Sequence, residues 1–177
     1  MAPTAVEPPA FFVTSEQYSN PHGYQNATFD VDVLGNTDIV NAAKVDGVVF
    51  HHSIWTTLGD YVGQGRDSVV TDSSGSVVAS FEDVTIDVAG FSKFESYIGL
   101  LDQFGIALNQ DNTPAVMQFR VLTTGGKALW SGTRQGIQKP YHMAIELHGL
   151  HTIVLEWRTT DTWSGITGAW CNPVLVS

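Results

Sequence analysis

The feature of this chain that most constrains its fold is its punctuation. From Phe11 onward, short stretches that alternate polar with apolar residues are broken repeatedly by Gly, Asp, Asn and Ser, and none sustains the period of an amphipathic helix. Ala27-Thr28-Phe29-Asp30-Val31-Asp32-Val33-Leu34 alternates before Gly35-Asn36. Lys44-Val45-Asp46-Gly47-Val48-Val49-Phe50 places Asp-Gly between apolar flanks, the pair that a two-residue hairpin turn selects because both turn positions need positive φ. Ser73 to Ser76 is a turn before Val77-Val78. Val84 to Val88 alternates, and Gly90 separates it from Phe94 to Ile98. Val116 to Leu122 ends at Thr123-Thr124-Gly125-Gly126, and Ala128-Leu129-Trp130 starts a return strand. His142 to Leu147 and Thr152 to Trp157 flank a tight connection at His148-Gly149-Leu150, and Trp170 to Val176 closes the chain. The spacing predicts about ten strands arranged as a sandwich or jelly roll. Helix is confined to two short candidates, Thr37 to Ala43 and, should strand pairing fail there, Ser92 to Ser96. The polar segment Gly59 to Ser76 reads as a loop or an excursion from the sheet.

The chain has 177 residues, 43% of them hydrophobic, which suits one well-filled domain. Three prolines within residues 1 to 9 mark an extended arm, so the expected organisation is an arm over 1–10 and a single domain over 11–177. A net charge of −10 without a Lys/Arg cluster argues against nucleic acid. No stretch is long and apolar enough for a membrane helix. Cys171 is the single cysteine, so no intrachain disulfide forms, and its apolar surroundings make it a small buried hydrophobe. The N-terminus has neither the basic nor the apolar part of a signal peptide, so the expectation is synthesis in the cytoplasm without export.

Five segments, in order over residues 44 to 176, resemble the NPCBM carbohydrate-binding module family, a galactose-binding-like jelly roll often attached to glycoside hydrolases. They are Val45 to His52, an early hairpin; Val84 to Phe94, a strand, a Gly and a Phe-anchored strand; and Ile98-Gly99-Leu100-Leu101-Asp102. Phe119 to Gly132, with its Gly-Lys hairpin and Ser-Gly, and Gly168 to Leu175, around Trp170, complete the series. The resemblance implies an all-β, galactose-binding-domain-like sandwich and a glycan ligand. Ala169 stands where the family has Asp before its Trp, Leu101-Asp102 breaks an Asp pair, and about twenty residues are inserted between His52 and Phe81.

Sugar sites stack an aromatic ring on the apolar face of a pyranose and ring it with planar polar groups. Trp163, in a Thr/Ser/Gly/Asp loop beside Asp161, is the first candidate; packing onto a sheet edge or another chain is the competing reading. His51, His52, Trp55 and Tyr61 form a second group, read as a loop after a strand. Adjacent His residues point to opposite faces of a strand, which argues against a shared metal. Arg134 offers a forked donor on a loop, for a sugar or a carboxylate, or for a surface Asp. Trp130, Trp157 and Trp170 have apolar neighbours and read as core. Asp102 and Asp111, with Asn109 and Asn112 nearby, could supply oxygen ligands to calcium, although their spacing matches no EF-hand loop.

The chain carries no nucleophile elbow, phosphate loop, dinucleotide fingerprint or His-Glu-x-x-His motif, and no feature selects a catalytic carboxylate pair. The expected function is therefore non-catalytic, lectin-like binding of a glycan or cell-surface polysaccharide through jelly-roll loops. The alternative is a bacteriophage virion accessory, a head-decoration or tail-associated protein that uses the same fold and its proline arm to contact coat proteins, with homo-oligomerisation as a corollary.

Overall fold

The computed structural model describes residues 9–13, 17–19, 28–31, 43–58, 68–102, 108, 111–160 and 165–177. Fourteen strands are present among them: β1 (Ala10–Phe12), β2 (Tyr18–Ser19), β3 (Thr28–Val31), β4 (Ala43–Val45), β5 (Val48–Phe50), β6 (His52–Leu58), β7 (Ser68–Thr71), β8 (Val77–Asp87), β9 (Lys93–Leu100), β10 (Val116–Leu122), β11 (Ala128–Gln135), β12 (Tyr141–Glu146), β13 (Thr152–Thr159) and β14 (Ile166–Val176). One sheet runs β12-β9-β14-β6-β3, with β1 also on β14; the other runs β11-β10-β13-β8-β2, with β7 also on β8. All their pairings are antiparallel. The two sheets form the expected jelly-roll β-sandwich, almost entirely β.

Alternation places the inward residues. Ile54 and Leu58 of β6, Phe94 and Ile98 of β9, and Trp170 and Leu175 of β14 meet Val84 and Ile86 of β8, Met117 and Phe119 of β10, and Leu155 and Trp157 of β13 in one buried cluster. Trp170 is its centre. Its ring lies 5.5 Å from Phe119 and 6.4 Å from Trp157 across the sandwich, and 6.4 Å from Phe94 on its own sheet. Trp157 and Trp170 are thus the core residues their neighbours suggested. Beneath the outer surface of the second sheet, Glu156 is almost buried because it receives Arg120 Nε at 2.8 Å, Arg120 Nη2 at 3.2 Å and Arg158 Nε at 3.2 Å.

The Asp-Gly signal is realised as β4 and β5, with Asp46 at φ 47° and Gly47 at φ 79°. This hairpin lies on the outer face of the first sheet and makes a second, smaller core from Ala43, Val45, Phe50, Leu101, Ala169 and Cys171, with Trp55 against it. Ala169 and Cys171 explain why β14 is apolar on both faces: one face meets the sandwich core and the other meets the hairpin. Gly99 on neighbouring β9 leaves the room the hairpin needs, since a side-chain carbon there would overlap the methyl groups of Val45. Asp102 Oδ2 accepts the Gly47 amide at 3.0 Å and ties down the turn.

Several expectations change. Ser92 to Ser96 is not helical: Lys93 onward pairs with both β12 and β14. The second half of the Gly59 to Ser76 segment is not loop, because Ser68–Thr71 pairs with β8 around a turn in which Asp72 Oδ1 accepts the amides of Ser74 and Ser76. Residues 37–42 of the other helix candidate lie outside the described residues, and Ala43 opens β4. Of the N-terminal segment, residues 1–8 lie outside the description, while Pro9 accepts the Ser177 amide and Ala10 already pairs with Val176.

Candidate functional site

The register gathers a set of strand ends at one end of the sandwich. Leu58 of β6 pairs with Ile166 of β14, Leu100 of β9 with Gly168, and Ile98 with Tyr141 of β12. In the other sheet Val116 of β10 pairs with Gln135 of β11, and the Thr159 hydroxyl of β13 donates to the Val116 carbonyl at 2.7 Å. Gly168 lies against Met117 and Phe119 across the sandwich, so both sheets present the same end. The connections from β6 to β7, β9 to β10, β11 to β12 and β13 to β14 all leave from here.

At this end the edge strands β11 and β12 come together over an aromatic series. Trp130 of β11 is half-buried, with its ring 6.1 Å from Trp170 in the core and 6.3 Å from Tyr141, nearly parallel to the latter at 23°. Tyr141 is 50% exposed. The Arg134 guanidinium carbon stands 5.9 Å from the centre of its ring, within reach of a cation–π contact. Arg134 Nη2 donates to the Lys139 carbonyl, and burial holds the guanidinium below its ordinary pKa without discharging it. Gly132, on the same face as Trp130, lets the indole lie flat along the strand. A side-chain carbon at Gly132 would stand 2.5 Å from Trp130 Cη2.

Of the residues singled out in the sequence, Arg134 belongs to this cluster, at the end of strand β11 rather than on a loop, and its contacts are Tyr141 and a carbonyl rather than a surface Asp. Trp163, Asp161 and Tyr61 lie outside the described residues. They belong to the connections that join Leu58 to β7 and Thr159 to β14, both of which depart from this end. His51, His52 and Trp55 do not form a loop group. His52 and Trp55 are in β6, because its residues pair on both sides, with β14 and with β3. His52 stacks on Phe12 at 4.0 Å, Trp55 packs against the β4–β5 core, and His51 is exposed at the opposite end of the strand from Leu58.

The acidic candidates are engaged locally. Asp102 holds the hairpin turn, and Asp111 Oδ1 accepts the amide and hydroxyl of Thr113 at 3.1 and 2.6 Å, which depresses its pKa. Among the described residues no group of three or more His, Cys, Asp or Glu converges as a metal site. Asn109 lies outside the description, and Asn112 takes a turn conformation with φ 63°. Nothing in the sequence singles out Tyr141. It follows a proline and shares the alternation of Met143 and Ile145, so nothing local separates it from core; its position at the end of an edge strand exposes it.

No family model matches the chain, and no curated protein matches it in sequence. Solved structures do share its fold. A CBM51 carbohydrate-binding module from Clostridium perfringens GH95, solved with methyl-galactose, superposes with a TM-score of 0.54 at 14% identity, covering 95% of this chain and 100% of that one. The tandem CBM51 modules of Sp3GH98, the family 98 glycoside hydrolase from Streptococcus pneumoniae, superpose with a TM-score of 0.55 at 16% identity over 95% of this chain and 47% of theirs. The M60 catalytic domain with two CBM51 domains from Clostridium perfringens ZmpB gives 0.54 at 12% identity over 90% of this chain and 15% of that one. The chain shares the fold of these carbohydrate-binding modules.

Proposed function

We propose that this chain is a non-catalytic carbohydrate-binding module whose ligand lies against Tyr141 at the end of the sandwich where β11 and β12 meet. The observation that carries the reading is the state of Tyr141, which is half exposed yet backed by Trp130 and Arg134. An aromatic ring held in place stacks on the apolar face of a pyranose without first losing side-chain freedom. The fold it shares with carbohydrate-binding modules supports the same reading. Trp163, Asp161 and Tyr61 lie outside the described residues, and Trp163 enters the proposal only as a residue to be tested.

The test is a glycan-array screen of the whole protein, with and without calcium, repeated on Tyr141→Ala and Trp163→Ala. Tyr141→Ala is expected to lose about tenfold or more in affinity, the scale of one lost aromatic platform, while its thermal transition stays within a few degrees of the parent. Absence of any sugar signal under all conditions would sink the reading. Binding that survives Tyr141→Ala would move the site elsewhere.

A further inference from the structure

Arg134 is held at the rim with one donor unanswered. Its Nε is buried and has no hydrogen-bond acceptor, and its Nη2 reaches only the neutral carbonyl of Lys139. The other arginines among the described residues are treated differently, since Arg120 and Arg158 both close on the Glu156 carboxylate. Composition sharpens the contrast. The chain carries 18 Asp and Glu against 8 Lys and Arg, so a partly buried cation without a carboxylate among the described residues is conspicuous. Nε is closed to solvent, so a ligand would meet the terminal guanidinium nitrogens, whose planar edge matches a planar carboxylate better than a hydroxyl, and the partial burial of the group means less water has to be stripped when the carboxylate arrives. The acceptor would arrive beside the Tyr141 ring, where the sugar face is proposed to stack.

We propose that the Tyr141 site selects saccharides bearing a carboxylate, the uronic acids, with Arg134 receiving the carboxylate while Tyr141 stacks on the ring that carries it. This rests on the carbohydrate-binding reading and adds the ligand's charge to it. The arrangement makes Arg134 a specificity residue and Tyr141 a general one. Loss of Tyr141 weakens every sugar, whereas loss of Arg134 erases the preference for the acid.

The experiment is calorimetric titration of the whole protein with oligogalacturonides, with the same oligomers fully methyl-esterified, and with neutral galacto-oligosaccharides of equal length. The expected result is about tenfold or greater preference for the free acid, the size of one charge-assisted hydrogen bond. That preference should fall with added salt and vanish in Arg134→Gln, with Arg134→Lys intermediate because it keeps charge without the fork. Circular dichroism and the melting transition of both variants check that the fold is retained. Equal binding of acid and ester, or a preference that survives Arg134→Gln, overturns this inference and leaves the module reading standing. No binding to any of the three ligands, together with an empty glycan array, overturns both.

Discussion

The indole of Trp130 lies across Gly132, two residues further along the same strand, in the space that a side chain at Gly132 would occupy. The relationship matters because Trp130 is the middle ring between buried Trp170 and exposed Tyr141. Anything that lifts Trp130 removes the backing of the proposed sugar platform.

Gly132→Ala is therefore expected to tilt the indole outward. Because the site is at a rim, the ring can move without breaking the core, and the cost in stability should be about 1 kcal/mol, at the low end for overpacking. The near-ultraviolet circular dichroism of the tryptophans should change, and glycan affinity should fall in parallel with Tyr141→Ala. An unchanged aromatic spectrum would show that Trp130 does not need the space.

The β4–β5 hairpin covers Cys171 through the Val45–Gly99 contact, and burial pushes the thiol well above its ordinary pKa. In the native protein the thiol should resist a thiol reagent at pH 8 until the protein unfolds. Gly99→Ala should displace the hairpin, cost about 1–3 kcal/mol, and let Cys171 react measurably faster under native conditions. The shift also gives a pH dependence. The folded value lies above the ordinary 9.0, so as pH rises past that value the unfolded thiol ionises first, and stability falls toward the folded value. Cys171→Ala should remove that alkaline loss, as followed by denaturant titration at pH 8 and pH 10.

Glu95 sits on the outer face of the first sheet between Lys93 and His142, with the His142 Nε2 contact at 3.3 Å. The hydrogen bond from Lys93 is the largest cause that depresses the Glu95 pKa, with His142 adding to it, and the same hydrogen bond raises that of Lys93. For Glu95 the contribution to stability is full above its ordinary 4.5 and is lost as pH falls through the lower folded value. For Lys93 it is full below 10.5 and is lost as pH rises through the higher folded value. The pair thus supports the fold across the middle of the pH range. Its size is small, because the groups are substantially wet and salt screens them. Glu95→Gln should lower the melting temperature by a degree or two at pH 7 and make no difference near pH 2. An equal shift at both pH values would show that the effect is packing and not charge.

Much of the fold is legible in local chemistry. Asp46-Gly47 makes its hairpin because turn φ values are a property of two residues. Val116–Leu122 and Ala128–Gln135 pair around the turn that Thr123 to Gly126 announces. The errors fall where local signals compete. Ser68–Thr71 looks like loop amid Gly, Asp and Ser, yet β8 offers it a free edge. His52 and Trp55 look like loop residues after a strand, yet pairing with β14 and β3 makes β6 of them.

What the sequence determines by itself, then, is the class of architecture, the positions of most strands, and the core roles of Trp157 and Trp170, because side-chain alternation and turn propensity act over a few residues. What only the tertiary structure decides is which side chains share a surface. Arg134 and Tyr141 are neighbours across the short β11–β12 connection, but Trp130 gains its place between Tyr141 and Trp170 only because the two sheets pack face to face, a contact between residues forty apart that no local pattern encodes.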